Sequence, residues 1–222
     1  MSTRDLAEAM ALAVALSDML LVKGGPRGQT ASDLRRAVTR FQANLETGYR
    51  TQMLGPVIAG LFDAAVAAGL AATSFRAVRD AARNAVTHVD LAAWTRRSFW
   101  RQALVAEVRQ LAAVNFTDRD AVDAARAGLI TAFDDVIEDA SEMQEFQIMR
   151  DLTSLFTAIQ RHLATTAIPL PRLITFDTPS SLPSLVLAHR LYGDASRRQE
   201  LERGSKVVHP LFMPRAGRAL AS

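Results

Sequence analysis

Arg190-Leu191-Tyr192-Gly193-Asp194-Ala195-Ser196-Arg197, followed by Glu200-Leu201 and then by His209-Pro210-Leu211-Phe212-Met213-Pro214, decides how the C-terminal part of the chain folds. An apolar run from Leu185 to Leu191 reads as a helix that stops at Tyr192-Gly193, because glycine takes the positive φ of a helix end without a Cβ penalty. A second helix starts just beyond, with Asp194 or Ser196 available as its cap. His209-Pro210 and Pro214 then hold the chain extended, since proline fixes its own φ and keeps its neighbour out of the helical region. Upstream, Leu173-Ile174-Thr175-Phe176-Asp177 reads as a short strand between Pro171 and Thr178-Pro179-Ser180-Ser181. The predicted order is strand, helix, helix, extended end over residues 169–222. Ile168-Pro169-Leu170-Pro171 separates this module from a helical body over 1–168.

The body reads as helix throughout, so the fold class is mainly α, a multi-helix body with a small C-terminal α+β module. An alanine-rich helix over residues 3–22 is broken by Gly24-Gly25-Pro26-Arg27-Gly28. Thr30 or Ser32 caps a second helix that runs to about Leu54, where Gly55-Pro56 interrupts. The next helix, Val57 to Ala71, carries Ala59, Gly60, Ala64, Ala65 and Ala68, which allow close backbone approach, and Ser74 caps its successor. Asp90 to Val114 is again helical, with Trp94 and Trp100 among Arg96, Arg97 and Arg101. Asn115-Phe116-Thr117-Asp118 makes a break, with Thr117 as the expected cap ahead of an acidic first turn. Leu129, Phe133, Val136, Met143, Phe146, Leu152, Phe156, Ile159 and Leu163 then form one apolar stripe. That stripe fits one long helix, or two meeting near Ala140-Ser141.

Composition removes several chemistries. Cysteine is absent from the 222 residues, which excludes disulfides, thiol nucleophiles and cysteine-ligated metals. Asp5, Glu8 and Asp18 interrupt the apolar N-terminus, so a signal peptide is not expected there, and no window offers about 18 uncharged apolar residues for a membrane span. A soluble protein, or a part of a soluble assembly, is expected. The formal net charge of +3 hides a segregation. Residues 118–151 hold ten acids against three arginines, a net of −7, whereas 190–222 hold seven bases against three acids, a net of +4. Opposite signs on two parts of one chain suit head-to-tail contacts between copies or docking on charged neighbours. They also suit two solvated faces with no partner.

No catalytic pattern emerges. The histidines at 88, 162, 189 and 209 lack metal-ligand spacing, and His189 and His209 are expected to make structural hydrogen bonds. Asp134-Asp135 and Glu138-Asp139 stand four residues apart on a helix, a spacing that could bind a divalent cation or poise a shared proton, but the expected reading is a solvated acidic face. The Gly24–Gly28 loop lacks the phosphate-loop lysine and a preceding strand, and no G-x-S-x-G elbow occurs. Neither an enzyme nor a cofactor or metal is expected. Arg197, Arg198, Arg203, Lys206, Arg215 and Arg218 would suit phosphates, but acids interleave them, and Tyr192 and Phe212 are expected to fill the module's core rather than stack on bases.

The Tyr192-Gly193-Asp194 turn, the strand-helix-helix order and the proline near the end resemble a LysM-type module. More closely, residues from about Ala93 to Leu220 resemble the C-terminal half of the phage Mu-like prophage DNA circularisation protein family, a group of tail and baseplate proteins. The resemblance rests on Leu170-Pro171-Arg172-Leu173, Leu182-Pro183-Ser184-Leu185-Val186-Leu187-Ala188, Leu191 to Arg197, Glu200-Leu201 and His209-Pro210-x-Phe212-x-Pro214. Members usually carry asparagine ahead of the His-Pro pair, where Ser205 stands here, so that turn is expected to be built differently. They usually also carry an N-terminal β-rich domain, whereas Met1 here leads directly into helix. That domain's role is expected to be absent or to fall to another chain. The resemblance implies a virion structural component of a contractile-tail baseplate or hub, assembled in the host cytoplasm. Its implied partners are other baseplate, hub or tail-tube proteins, with multiple copies in a symmetric ring. Tyr192, Gly193, Asp194, Arg197, Arg198, His209, Pro210, Phe212 and Pro214 become the candidate structural and partner-binding positions. The competing classes are a nucleic-acid-binding protein acting on phage genome ends and a cell-wall-binding accessory of an injection machine.

Overall fold

A computed structural model describes residues 2–21, 28–205, 207 and 209–221. The fold is mainly α, with one two-stranded antiparallel sheet near the C-terminus. The helices are α1 (Thr3–Asp18), α2 (Gln29–Ala43), α3 (Leu45–Arg50), α4 (Leu54–Ala67), α5 (Ala72–Asn84), α6 (Asp90–Ala113), α7 (Arg119–Glu142), α8 (Phe146–Ala167), α9 (Ser184–Tyr192) and α10 (Arg198–Gly204). The strands are β1 (Leu173–Asp177) and β2 (Ala216–Leu220). The chain groups into two compact units. The first holds the described residues up to Val114 together with Asp134–Arg150, and the second holds Asn115–Phe133 with the described residues from Asp151 onward. Pro169 and Pro171 therefore lie inside the second unit.

In the first unit α6 is the central element, packed against α1, α4 and α5. It buries Ala92, Thr95, Phe99, Trp100, Ala103, Leu104, Ala106, Glu107, Val108 and Leu111, which cover most of its circumference. A helix surrounded on most sides has no single apolar stripe. Phe99 sets its edge against Phe41 and Phe62, with centroids 5.9 and 5.7 Å apart, and Phe62 also meets Phe75 at 6.2 Å. Such tilted and edge-on pairs place ring edges over the electron-rich faces of their neighbours.

Two buried polar groups tie this core. Glu107 of α6 is fully buried, and its carboxylate accepts from Arg76 Nε at 2.9 Å and from Arg79 Nη1 at 2.5 Å, both on α5. Tyr49 of α3 is also buried, and its hydroxyl lies 3.1 Å from the Ala9 carbonyl of α1 and 2.7 Å from Thr95 Oγ1 of α6. One phenol thus joins three helices. Burial pushes its pKa from 10.0 up to about 12, with the Thr95 hydrogen bond working the other way.

Several helix boundaries differ from those read in the sequence. The second helix ends at Ala43, and α3 and a turn around Gln52, with φ 59°, separate it from α4. Gly55 and Pro56 lie within the first turn of α4, where the missing proline N–H has no intrahelical partner to lose. Ser2 and Asp5 cap α1, the Ser2 hydroxyl accepting from Arg4 N at 3.2 Å and the Asp5 carboxylate from Ser2 N at 3.3 Å. Gly28, with φ 69°, precedes α2, so Thr30 and Ser32 fall inside its first turn instead of capping it. Ser74 likewise lies inside α5, which starts at Ala72 behind an uncapped Ala71. Residues 24–27 of the expected N-terminal breaker lie outside the described residues. Asp118, not Thr117, caps α7, its Oδ1 accepting from Ala121 N at 2.8 Å, while the Thr117 hydroxyl supports the other carboxylate oxygen. The long apolar stripe is two helices. They break at residues 143–145, where Gln144 takes φ 57° and Glu145 N donates to the Ala140 carbonyl at 2.9 Å.

In the second unit, Phe133 packs on Phe156 with centroids 5.0 Å apart, and Arg126 Nε donates to Gln160 Oε1 at 3.0 Å. The extended C-terminus expected after the His-Pro pair includes a strand. β2 pairs antiparallel with β1, from Leu173 opposite Leu220 to Asp177 opposite Ala216. The pairing continues in irregular form as Thr178 N donates to the Arg215 carbonyl at 2.7 Å, Met213 N to Leu182 at 3.0 Å and Ser184 N to Pro210 at 2.7 Å. Leu173 N donates to the Asp120 carboxylate at 2.8 Å, and Arg119 N to the Pro171 carbonyl at 2.9 Å, which ties the start of α7 to β1.

Two measurements check the polar core. Arg79→Ala leaves the buried Glu107 without its better-buried partner and is expected to destabilise the protein by about 3–5 kcal/mol. Arg76→Ala, whose side chain is 42% exposed, is expected to cost about 1 kcal/mol because water replaces the guanidinium. Equal losses in urea titrations would show that the two arginines share the load. The raised Tyr49 pKa means that the folded protein keeps a proton that the unfolded chain loses. Its contribution is complete below pH 10.0 and is lost as pH rises through about 12. The urea midpoint should therefore fall over that window, and fall less in Tyr49→Phe.

Candidate functional site

The C-terminal segment of the second unit is built on a small apolar cluster of Phe176, Leu187, Ala188, Leu201, Met213 and Ala219. Its entry turn follows the sequence reading closely. α9 stops at Tyr192 because Gly193 takes φ 70° and ψ 0°, and Gly193 N donates to the His189 carbonyl at 2.9 Å. Asp194 then caps the following 3-10 turn, its carboxylate accepting from Ser196 N and Ser196 Oγ, both at 2.8 Å. Those bonds, the backbone one foremost, hold its pKa below the ordinary carboxylate value.

Arg197 lies over the Tyr192 ring, its guanidinium carbon 4.0 Å from the centroid. Glu200 Oε2 accepts from Arg197 Nη2 at 2.8 Å and from Nε at 3.1 Å. The carboxylate fixes the guanidinium plane and raises the Arg197 pKa. Burial raises the Tyr192 pKa, with the Arg197 charge opposing. The Tyr192 hydroxyl is buried near the backbone of Leu220 without a well-formed hydrogen bond.

The other candidate positions take different places. Pro210 supplies the carbonyl that receives Ser184 N. His209 folds back on its own loop, Nδ1 accepting from Leu211 N at 3.3 Å and the ring meeting that of Phe212 at 5.7 Å. Its expected structural hydrogen bond is present, whereas the His189 side chain is exposed and its carbonyl receives Gly193 N at the helix end. Arg198 and Pro214 are exposed. The expectation that Tyr192 and Phe212 fill the core is corrected for Phe212, while Tyr192 packs against the cluster from its edge. Met213 is buried in that role, Tyr192 is partly buried, and Phe212 is 69% exposed. The reason is backbone pairing. Met213 N donates to the Leu182 carbonyl beside the cluster, whereas Phe212 lies in a turn closed by its own N–H to the His209 carbonyl at 3.0 Å.

Sequence reading missed the outer surface. Leu185, Val186, Leu211 and Phe212 are all exposed large apolar residues, and Ser184 N bonded to the Pro210 carbonyl brings the start of α9 beside the 210–212 loop. The clue was Leu185-Val186-Leu187-Ala188, four apolar residues in succession where a one-sided helix needs only two. Exposed apolar residues gathered in this way mark contact surfaces on proteins. The acids of 118–151 divide as well. Asp135 pairs with Arg83 at 2.9 Å, Asp139 with Arg101 at 2.9 Å and Glu145 with Arg101 at 2.5 Å, all within the first unit. Asp134, Glu138 and Glu142 stay exposed. Among the described residues, no group of three or more His, Asp or Glu side chains is placed to hold a metal ion, and no helix is long and apolar enough to cross a membrane. No protein-family model matches the chain, and no curated protein matches it.

Gly193 can be tested directly. A Cβ there meets nothing within 4 Å, so the cost of substitution is conformational rather than steric. Gly193→Val is expected to lose about 1–3 kcal/mol, whereas Gly193→Asn, which tolerates a left-handed backbone, is expected to lose less. Limited proteolysis should cut the valine variant faster within residues 184–205. Equal cutting of valine and wild type would mean that the turn does not hold the segment.

Proposed function

We propose that this chain is a structural component of a phage or phage-derived contractile tail, placed at the baseplate or hub, that acts through protein contacts rather than catalysis. The observation that carries the reading is the use made of the signature residues. Gly193, Asp194 and Tyr192 with Arg197 are spent on building a turn, and the same segment turns Leu185, Val186, Leu211 and Phe212 outward. A part that must dock in a fixed assembly needs a rigid turn and an apolar contact surface of this kind. The resemblance of residues 93–220 to the Mu-like tail family supports the same reading. It implies several copies in a symmetric ring, with hub or tail-tube proteins as neighbours and the virion as final location.

One alternative has an observation behind it. Arg190, Arg198, Arg203, Arg215 and Arg218 have no ion-pair partner among the described residues, and a run of free guanidiniums favours phosphates. A nucleic-acid partner acting at genome ends would use them.

The two separate in a particle assay. Mass spectrometry of purified tails is expected to find the chain at a fixed ratio to the tail-tube protein. Leu211→Asp with Phe212→Asp is expected to abolish incorporation while the circular dichroism spectrum of the purified variant stays that of wild type. Finding the chain only outside particles, or bound to DNA with a steep salt dependence, would overturn the structural reading.

A further inference from the structure

Arg203 and Arg218, from α10 and β2, share a cavity of about 370 Å³ with Asp118, Glu200, Leu173 and Leu220, all within the second unit. The two acids are already committed. Asp118 receives Ala121 N and the Thr117 hydroxyl, and Glu200 receives Arg197. Arg203 and Arg218 have no ion-pair partner among the described residues, so the cavity is lined by two unpaired arginines together with the leucines Leu173 and Leu220. Paired guanidiniums hold a carboxylate through several parallel N–H···O bonds. The apolar wall asks for something more than an ion, namely an apolar side chain next to the carboxylate. A duplex backbone would meet the cations only at the rim and leave the wall empty.

The chain carries a segment of that chemistry itself. Asp134, Glu138 and Glu142 recur at every fourth position of α7, so they lie along one side of the helix. All three are exposed and without an ion-pair partner among the described residues. They lead into the break at 143–145, where Met143 is 46% and Phe146 60% exposed. We propose that the Arg203–Arg218 cavity of one copy binds the acidic, apolar α7–α8 elbow of a second copy, head to tail. The acids engage the guanidiniums while Met143 or Phe146 covers the leucine wall. The apolar part is required because exposed ion pairs alone contribute little. The two faces of this contact are different surfaces, so it is heterologous, and repeated it closes a ring or extends a filament. The inference rests on the tail-component reading for its purpose, and its test is independent of that reading.

Sedimentation of the purified full chain is the test. Wild type is expected to associate with concentration, and to lose association as salt screens the charges. Arg203→Glu with Arg218→Glu, and separately Glu138→Arg with Glu142→Arg, are each expected to weaken association by about tenfold or more. Mixing the two reversed variants is expected to restore it, because each brings the wild-type face that the other lacks. Arg35→Glu, an exposed charge of α2 outside the cavity, is expected to leave association unchanged, and circular dichroism of every variant checks folding. The proposal is overturned if wild type stays monomeric at sub-millimolar concentration, if the reversed variants associate as wild type does, or if mixing fails to rescue folded variants. It is equally overturned if the arginine reversal abolishes duplex DNA binding and leaves self-association intact. None of these results alters whether the chain is found in tails, so the two readings fail separately.

Discussion

Glu107 places a carboxylate in the middle of the most buried helix of the first unit, and burying such a group is costly unless partners are supplied from close by. Arg76 and Arg79 supply them from successive turns of one face of α5, three residues apart, so the clamp also sets the rotation and depth at which α5 meets α6. Once that pairing is fixed, Phe75 of α5 stands where it meets Phe62 of α4, and Phe99 of α6 closes the aromatic group from its other side. The Tyr49 hydroxyl does for α1 and α3 what the arginines do for α5. It gives each helix one position along α6 at which a buried polar group is satisfied. Apolar contact alone would tolerate sliding. The polar ties do not.

A different constraint shapes the C-terminal segment. A lone strand in a helical protein leaves a row of peptide groups unpaired, and β1 finds its partner in the last residues of the chain. Gly217 is opposite Phe176 in this ladder, and a Cβ there would come within 2.8 Å of the phenyl ring. Its hydrogen is what lets the ring lie across the strand and join the cluster with Leu187, Leu201 and Met213. Isolated backbone bonds beyond the ladder reach the 210–213 loop, where Met213 is inward and Phe212, in the turn closed on His209, is outward. The contact surface proposed for assembly thus joins one side of α9 to the 210–212 turn, which the Ser184 N bond to the Pro210 carbonyl holds together.

The charge segregation visible along the chain takes on a finer meaning in three dimensions. Asp135, Asp139 and Glu145 neutralise arginines of α5 and α6 and belong to the architecture of the first unit. Asp134, Glu138 and Glu142, interleaved with them in sequence, are exposed and have no ion-pair partner among the described residues. Among the basic residues, Arg197 is fixed by Glu200 and Tyr192, while Arg203 and Arg218 reach one cavity from different elements. A net charge for a segment counts both kinds alike.

The mainly α class, the strand at 173–177, the helix ending at Tyr192 and the positive φ at Gly193 were all legible in the sequence, because each follows from local chemistry: apolar period, proline placement and the absence of a Cβ. The cap on α7 was misplaced by one residue, and Gly55-Pro56 was read as a stop, because a proline in a first turn and a proline after a last turn look alike in one dimension. β2 was not legible. Ala216-Gly217-Arg218-Ala219-Leu220 has no β-branched or aromatic residue, and it is a strand because β1 needs its peptide groups. The burial of Met213 in place of Phe212, the clamp around Glu107 and the cavity shared by Arg203 and Arg218 belong to tertiary structure for the same reason. Each joins groups that are 28 or more residues apart or on different elements, and local propensity says nothing about which distant partner a buried charge or an unpaired peptide will meet.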